Sequence, residues 1–398
     1  MEECFGAHAS LEGMREGAAR TEGLGPRVLV LGPGNVGKST LVRVLAGYAI
    51  RGGRSPVVVN LDSQGEGILS LPGTISAGVF KSPLDVESVN GWGNSPMSGP
   101  SGNVPVKLPL VYHYGLESVA EREGSVYKSL VNRLGLAVTG RLQGDAEARE
   151  GGVLIDTPGI LASGKIGNTG YELISHIVSE FAVNAIICLG SERLYADMVK
   201  RFDGQPTSSS SGEIISVIKL ARSGGCVERD EAFMAQLRAS QIKNYFYGAL
   251  AGMGGVSLSP RQQIIDFGSL SVYRCVGPRS LGQDAGFGAD DDSFAPGGGD
   301  EDFYLGSATE KVPLPATQLL ERITSPQPGM QNAVLTVMNC EPDAEEREIR
   351  ESSVMGYVYV TEVDESRGRI GLLSPVAGRI PNRALVWGNW PESVLGMV

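Results

Sequence analysis

The chain has 398 residues, 41% hydrophobic and 20% charged, the balance of a globular protein with room for two or three domains. A formal net charge of −11 excludes indiscriminate nucleic-acid binding, which needs a basic footprint, so any RNA contact must be local. Cys4, Cys188, Cys226, Cys275 and Cys340 form no CxxC pair, the pattern of reduced intracellular thiols, and they offer no zinc site.

Residues 1–25 carry charges of both signs without the apolar core of a signal peptide, and 11–20 read as a short helix. Val28-Leu29-Val30-Leu31 is an apolar run suited to a buried parallel strand, and from Leu41 onward Leu41, Val44, Leu45 and Tyr48 recur at helical spacing. Between them, Gly32-Pro33-Gly34-Asn35-Val36-Gly37-Lys38-Ser39-Thr40 fills the phosphate-loop pattern G-x-x-x-x-G-K-[ST]. Strand, glycine loop and helix together aim backbone N–H groups and a positive helix end at an anion. In that pattern Gly32 and Gly37 let the backbone turn against phosphate oxygens. Lys38 reaches the β- and γ-phosphates, and the Ser39 hydroxyl ligates Mg²⁺. The loop predicts a nucleoside triphosphate ligand.

Downstream, 56–61 read as a second strand ending in Asp62, and 90–104 as a long Gly/Ser/Pro-rich surface loop. Apolar structure resumes at 108–114, a helical pattern runs over 126–142, and 152–156 form a third buried strand. Helices at 171–181 and 192–202 alternate with strands at 183–189 and 214–220. This alternation predicts an α/β fold, a phosphate-loop NTPase-type doubly wound, mainly parallel sheet. Residues 282–302 are dense in Gly and Asp and read as a mobile acidic linker, with an acidic mimic of nucleic acid as the sharper alternative. Strand-like segments at 333–337, 354–363, 368–373 and 384–387 then predict a small β-rich C-terminal domain. The expected organisation is an N-terminal segment 1–25, a nucleotide-binding domain 26–281, a linker 282–302 and a C-terminal domain 303–398. Apolar runs are strand-length, so no membrane span is expected.

Three constellations could carry chemistry. Asp62, closing a strand beside the phosphate loop, can order Mg²⁺-bound water or take a proton from an attacking hydroxyl; capping a turn is the plainer alternative. Asp156-Thr157-Pro158-Gly159 closes the third strand and has the D-x-x-G form found at the γ-phosphate of GTPases, yet no Asn-Lys-x-Asp or Thr-Lys-x-Asp follows to read guanine. Residues 219–229, with Lys219, Arg222 and Arg229 around Gly224-Gly225, look like a hinged lid, continued by a helix with Arg238 and Lys243; a solvated helix face is the alternative. His8, His113 and His176 show no metal spacing and read as structural.

These motifs recur in order with Leu71-Pro72-Gly73-Thr74, Pro109-Leu110-Val111-Tyr112-His113-Tyr114-Gly115, Ser223-Gly224-Gly225-Cys226-Val227-Glu228-Arg229, Tyr245-Phe246-Tyr247-Gly248 and Trp387-Gly388-Asn389-Trp390-Pro391. Together they resemble the RNA 5′-hydroxyl polynucleotide kinase family, in particular its pre-mRNA cleavage and polyadenylation factor subunit in the filamentous-fungal form. The resemblance implies ATP and Mg²⁺ as cofactors, with Gly32 to Thr40, Arg229 and Arg238 on the nucleotide and Ser39 and Asp62 at the metal. It also implies a nuclear location and docking on the polymerase-tail-binding scaffold subunit of the processing complex. Two departures fall on turnover. Kinase-active members carry a clasp tryptophan that stacks on the RNA base, a contact worth about 1–3 kcal/mol; the clasp here, Thr157-Pro158-Gly159-Ile160, ends in an aliphatic residue. Active members have three lid arginines, whereas Met234 stands between Arg229 and Arg238 here, and losing a transition-state arginine can cost roughly 10³–10⁵ in rate. Family members also carry a β-rich domain before the phosphate loop, where this chain has 31 residues. The leading expectation is thus an ATP-binding, non-catalytic scaffold subunit. An active RNA 5′-kinase, with Asp62 as base and Arg229 on the γ-phosphoryl, and a GTPase switch stand as alternatives.

Overall fold

The computed structural model describes residues 2–65, 67, 69–81, 109–208, 212–248, 257–277 and 318–397. The surface loop expected at 90–104 and the linker expected at 282–302 lie outside the described residues.

The first unit runs α1 (Glu2–Thr21), β1 (Arg27–Leu31), α2 (Lys38–Arg51), β2 (Val57–Asn60), β3 (Thr74–Val79), β4 (Leu110–His113), α3 (Ser125–Gly144), α4 (Ala146–Gly151), β5 (Val153–Asp156), α5 (Gly167–Glu180), β6 (Ala185–Leu189), α6 (Glu192–Phe202), β7 (Ser216–Leu220) and α7 (Glu231–Tyr247). Its seven strands lie in the order β4-β3-β2-β5-β1-β6-β7. The five from β2 to β7 are mutually parallel, and β3 and β4 extend the sheet antiparallel. The expected mainly parallel, doubly wound sheet is present. Its strands read as unbroken apolar runs because both faces are covered. Leu29, Leu31, Val57, Val59 and Ile155 face a core with Leu130 and Leu134 of α3 and Ile174 and Ile177 of α5. Val28, Val30, Val58, Leu154 and Ile187 face the other way, onto Leu41 and Leu45 of α2 and Leu11 of α1. The N-terminal helix is longer than the 11–20 expected, since Ala7 already packs with Leu11 against that second face.

The second unit comprises β8 (Arg261–Asp266), β9 (Ser271–Cys275), β10 (Leu320–Ile323), β11 (Val334–Met338), α8 (Glu346–Glu351), β12 (Val354–Asp364), β13 (Arg369–Ser374) and β14 (Ala384–Trp387). These seven strands form a second sheet, β10-β9-β14-β11-β12-β13-β8. The β-rich C-terminal region is as expected, with one correction. β8 and β9 fall within the 26–281 span assigned to the nucleotide-binding domain, yet their hydrogen bonds go to β13, β10 and β14. Among the described residues no helix is long and apolar enough to cross a membrane.

The two units share one continuous core. Tyr273, Cys275, Leu320, Met338, Ala384 and Val386 of the second sheet join the same cluster as Leu130 and Leu134. Polar groups at this seam are tightly matched. Arg350 is buried and donates to the carbonyl of His113 at 3.3 Å, to the carbonyl of Tyr114 and to Cys275 Sγ at 3.1 Å. His113 shares a 3.0 Å hydrogen bond between its Nδ1 and Thr336 Oγ1.

Burial, reinforced by the Arg350 charge, holds the His113 ring down to about 3, against 6.5 for a free imidazole. Between those values the unfolded chain binds a proton that the folded chain refuses, so stability falls as pH drops from 6.5 toward 3. The urea midpoint should therefore decline over that range. His113→Gln should flatten the decline, at a cost of about 1–3 kcal/mol at neutral pH for the disturbed seam. An unchanged pH slope in the variant would assign the acid sensitivity to other groups.

Candidate functional site

Because β2, β5, β1, β6 and β7 are parallel, their C-terminal ends open on one edge of the sheet. The register aligns Val30 with Asp156 and Asp156 with Asn60, so the segments after these strands emerge side by side. β1 and β2 are consecutive in the chain but separated by β5, while β6 continues on the other side of β1. Such a reversal of direction leaves a crevice at the strand ends where ligands bind in open α/β sheets.

The phosphate loop fills that crevice. Asn35 and Gly37 take left-handed backbone conformations, with φ of 59° and 93°. α2 then begins at Lys38 without a side-chain cap and without an acidic residue in its first turn. The free N–H groups and the helix dipole leave this end positive. Lys38 adds a buried ammonium to it, and its Nζ donates to the Pro33 carbonyl at 3.0 Å. A buried cation at a positive helix end is unfavourable unless an anion joins it, so the loop is built for one.

Facing it across the crevice, Asp156 accepts from Ser39 Oγ at 2.5 Å and from the Thr157 N–H at 3.0 Å. Burial pushes the Asp156 carboxyl up to about 6, Lys38 and the Ser39 hydroxyl oppose that rise, and the nearby Asp62 charge adds to it. Asp62 receives the N–H groups of Gln64 and Gly65 on its Oδ1, at 3.1 and 3.0 Å. That is the strand-end turn considered as the plainer reading, and it also fixes this carboxylate beside Asp156. Among the described residues no group of three His, Cys, Asp or Glu side chains could hold a metal alone. One hydroxyl and two carboxylates suit Mg²⁺, which takes one or two carboxylates and completes its shell with water and phosphate. From sequence, Asp156 was read only within a D-x-x-G pattern at the γ-phosphate of a GTPase, not as a ligand of the metal. Its position at the end of the strand adjoining the phosphate-loop strand was the available signal.

The clasp packs directly on the loop. A Cβ on Gly159 would lie 2.8 Å from the backbone nitrogen of Gly34, and Thr157 Oγ1 donates to the Val30 carbonyl at 2.6 Å. Ile160 leans on the large core with Ala162 and Ile166. The lid segment also reaches the loop. Cys226 Sγ lies 3.2 Å from the Val36 carbonyl oxygen, and Asn35 Nδ2 donates to the Arg229 carbonyl at 3.2 Å. The guanidinium of Arg229 sits 5.7 Å from the ring of Phe233, at the start of α7. Met234 is half-buried on the same turn. Arg238 goes elsewhere: it is 3% exposed, and its donors are taken by Glu392 and Glu231. The structure thus gathers Gly32 to Thr40, Asp62, Asp156, Thr157 to Ile160 and the Arg229 backbone, and commits Arg238 to the seam between the units.

Known proteins resemble this chain along nearly all of its length. Residues 32–248 match the family model described as mRNA cleavage and polyadenylation factor CLP1 P-loop, and 258–392 match that of pre-mRNA cleavage complex II protein Clp1. The mRNA cleavage and polyadenylation factor clp1 of Aspergillus oryzae is 44% identical over 442 residues, covering 100% of this chain and 78% of that protein. Its counterpart from Coccidioides immitis is 43% identical over 448 residues, covering 100% and 79%. Among solved structures, the wild-type Clp1p–Pcf11p complex superposes with a TM-score of 0.77 at 25% identity, covering 98% of this chain and 79% of that one. A second structure, with the same TM-score, identity and coverage, describes an extended interface between Pcf11p and Clp1p and the basis of ATP loss in a glycine-to-arginine point mutant. The resemblance read from the motifs is borne out.

The contact between Gly159 and Gly34 makes the clasp part of the phosphate-loop mould. Gly159→Ala should lower affinity for Mg·ATP by roughly ten- to a hundredfold, the equivalent of the 1–3 kcal/mol that overpacking typically costs, while leaving the fold intact. Titration calorimetry alongside far-UV circular dichroism would check this. Wild-type affinity in a folded variant would mean the loop does not use that geometry to bind nucleotide.

Proposed function

Since the chain belongs to the Clp1 family of mRNA cleavage and polyadenylation factors, we propose that it is an ATP-holding, non-catalytic subunit of the pre-mRNA 3′-end processing machinery. The observation that carries this reading is a division within one site. The groups that would hold the triphosphate and its metal come together: the loop, buried Lys38, the Ser39–Asp156 pair, and a lid resting on Val36 and Asn35. The groups that would grip RNA and neutralise a transferring phosphoryl are replaced by Ile160 and Met234, or, in Arg238, tied up in ion pairs.

In this reading the loop N–H groups and Lys38 hold the phosphates, and Ser39 with Asp156 holds Mg²⁺, with Asp62 ordering its water. When bound, the metal neutralises phosphate charge. Without a residue to hold an RNA hydroxyl in line, positioning is lost, and phosphoryl transfer depends almost entirely on positioning and charge. The bound nucleotide then acts as a structural ligand, stabilising the folded state by mass action. The solved Clp1p structures with Pcf11p support a Pcf11-like scaffold subunit as the docking partner, and we propose a nuclear location from that role. The second reading, an active RNA 5′-kinase, is favoured by Arg229 standing next to the phosphate loop and Asp62 next to Asp156.

Purified protein should yield ATP on denaturation, and it should transfer no label from ATP to a 5′-hydroxyl oligoribonucleotide. Lys38→Ala should lose the nucleotide and melt several degrees lower. Robust label transfer by the unmodified chain, abolished by Lys38→Ala, would replace the scaffold reading with the kinase. Retention of ATP by Lys38→Ala at wild-type affinity would remove the phosphate-loop assignment itself.

A further inference from the structure

Arg238 is among the most buried charges in the molecule, and its surroundings tie together three parts of the chain that are remote in sequence. Its guanidinium donates to Glu392 at 2.7–3.1 Å and to Glu231 at 2.6 Å, and its Nη1 lies 3.5 Å from the carbonyl oxygen of Gln64. Its flat face covers the ring of Trp390 at 4.5 Å. Trp390 in turn donates from Nε1 to the Ser63 carbonyl at 3.2 Å. One turn along α7, Gln241 bonds both the N–H and the carbonyl of Gly67, at 3.0 and 3.3 Å. Ser63, Gln64 and Gly67 belong to the loop that carries Asp62, and that carboxylate is pinned to the loop's own N–H groups.

The lid helix, the Asp62 loop and the segment after β14 therefore meet on one guanidinium. A buried guanidinium needs its donors answered, so the C-terminal segment cannot withdraw Glu392 without leaving charge under-compensated, and the Asp62 loop is tied to the same group through Gln64 and, by way of Trp390, Ser63. Glu392 supplies most of the compensation. We propose that Arg238 is a positioning residue that couples the seating of the C-terminal segment to the placement of Asp62 and the lid. Seating that segment and binding Mg·ATP then reinforce each other, and the effect is reciprocal by linkage. The second half of this inference rests on the nucleotide-holding reading above; the first half does not.

The test uses the full chain and three variants. Glu392→Gln keeps shape and removes the charge, Trp390→Phe keeps a ring but loses the bond to Ser63, and Arg133→Ala breaks a different ion pair across the seam, that with Glu351. Hydrogen exchange is followed at 63–67 and 388–396, with and without Mg·ATP, and ATP affinity is measured in parallel. In the wild type, Mg·ATP should slow exchange at 388–396 at least roughly fivefold, and Glu392→Gln should weaken ATP binding by a similar factor. Without nucleotide, Glu392→Gln and Trp390→Phe should both speed exchange at 63–67. Arg133→Ala should change neither quantity. Unaltered exchange at 63–67 in Glu392→Gln would overturn the clamp, and an equal effect of Arg133→Ala would reduce it to general loosening of the seam. A wild type that binds no ATP would overturn the nucleotide reading and the linkage, and the exchange at 63–67 would still decide the clamp.

Discussion

Lys38 at the first residue of α2 is the constraint around which the site is arranged. A helix start carries unanswered N–H groups, and a buried ammonium placed there raises the positive potential further. The neighbouring elements are disposed to suit an anion bound at that point. Asp156 and Asp62 gather on the metal side, while the clasp and the lid press on the loop from two directions. A phosphate chain and its cation would satisfy both signs at once, with the protein supplying the frame. On the proposed reading, the same arrangement would let nucleotide holding persist without turnover. Holding depends on backbone and on one strand edge, whereas transfer depends on side chains at the rim.

The frame extends well beyond the crevice. The first sheet is not closed off from the second, because strands of both contribute to one core, Arg350 donates to the His113 carbonyl and the His113 ring bonds Thr336 through the seam. His113 is sealed in so closely that a Cβ on Gly115 would lie 2.4 Å from its Nε2. Such a seam transmits displacement, since close-packed groups have few alternative arrangements. The loop that carries Asp62 belongs to this seam as much as to the nucleotide site, being gripped by α7 and by Trp390.

The sequence was most legible where local patterning and tertiary role coincide. β1, the phosphate loop and α2 could be read directly, because a buried parallel strand, a glycine turn and an amphipathic helix each leave their own spacing. β3 escaped, because Thr74, Ser76 and Gly78 interrupt its apolar residues, and its burial comes from its neighbours. β8 escaped for a different reason: it is an edge strand whose two apolar residues, Ile264 and Ile265, are adjacent, one 63% exposed and one packed on the core, so its sequence shows no apolar alternation. The site was legible as residue types and less so as pairings. Ser39 and Asp156 are 117 residues apart, and Arg238 meets Glu392 across 154. No local spacing encodes such meetings, so Asp156 was read only as part of a D-x-x-G pattern and Arg238 was expected on phosphate.

The order of the second sheet bears on how the chain is made. β14 lies between β9 and β11, and among the described strands it is the link that joins the β9–β10 pair to the β11–β12–β13–β8 group. Among the described strands it is also the last in chain order. Until Ala384 to Trp387 emerge, the sheet remains in two pieces, and the apolar face that β4 and α3 offer to it has no complete cover. Domains tend to fold as they are synthesised, N-terminal first. Here the first unit must wait, with the β4 edge around Tyr112 lacking its Ser353 partner in the completed sheet, until β14 has emerged. A stop a few codons before β14 would part the β9–β10 pair from the four strands on the other side.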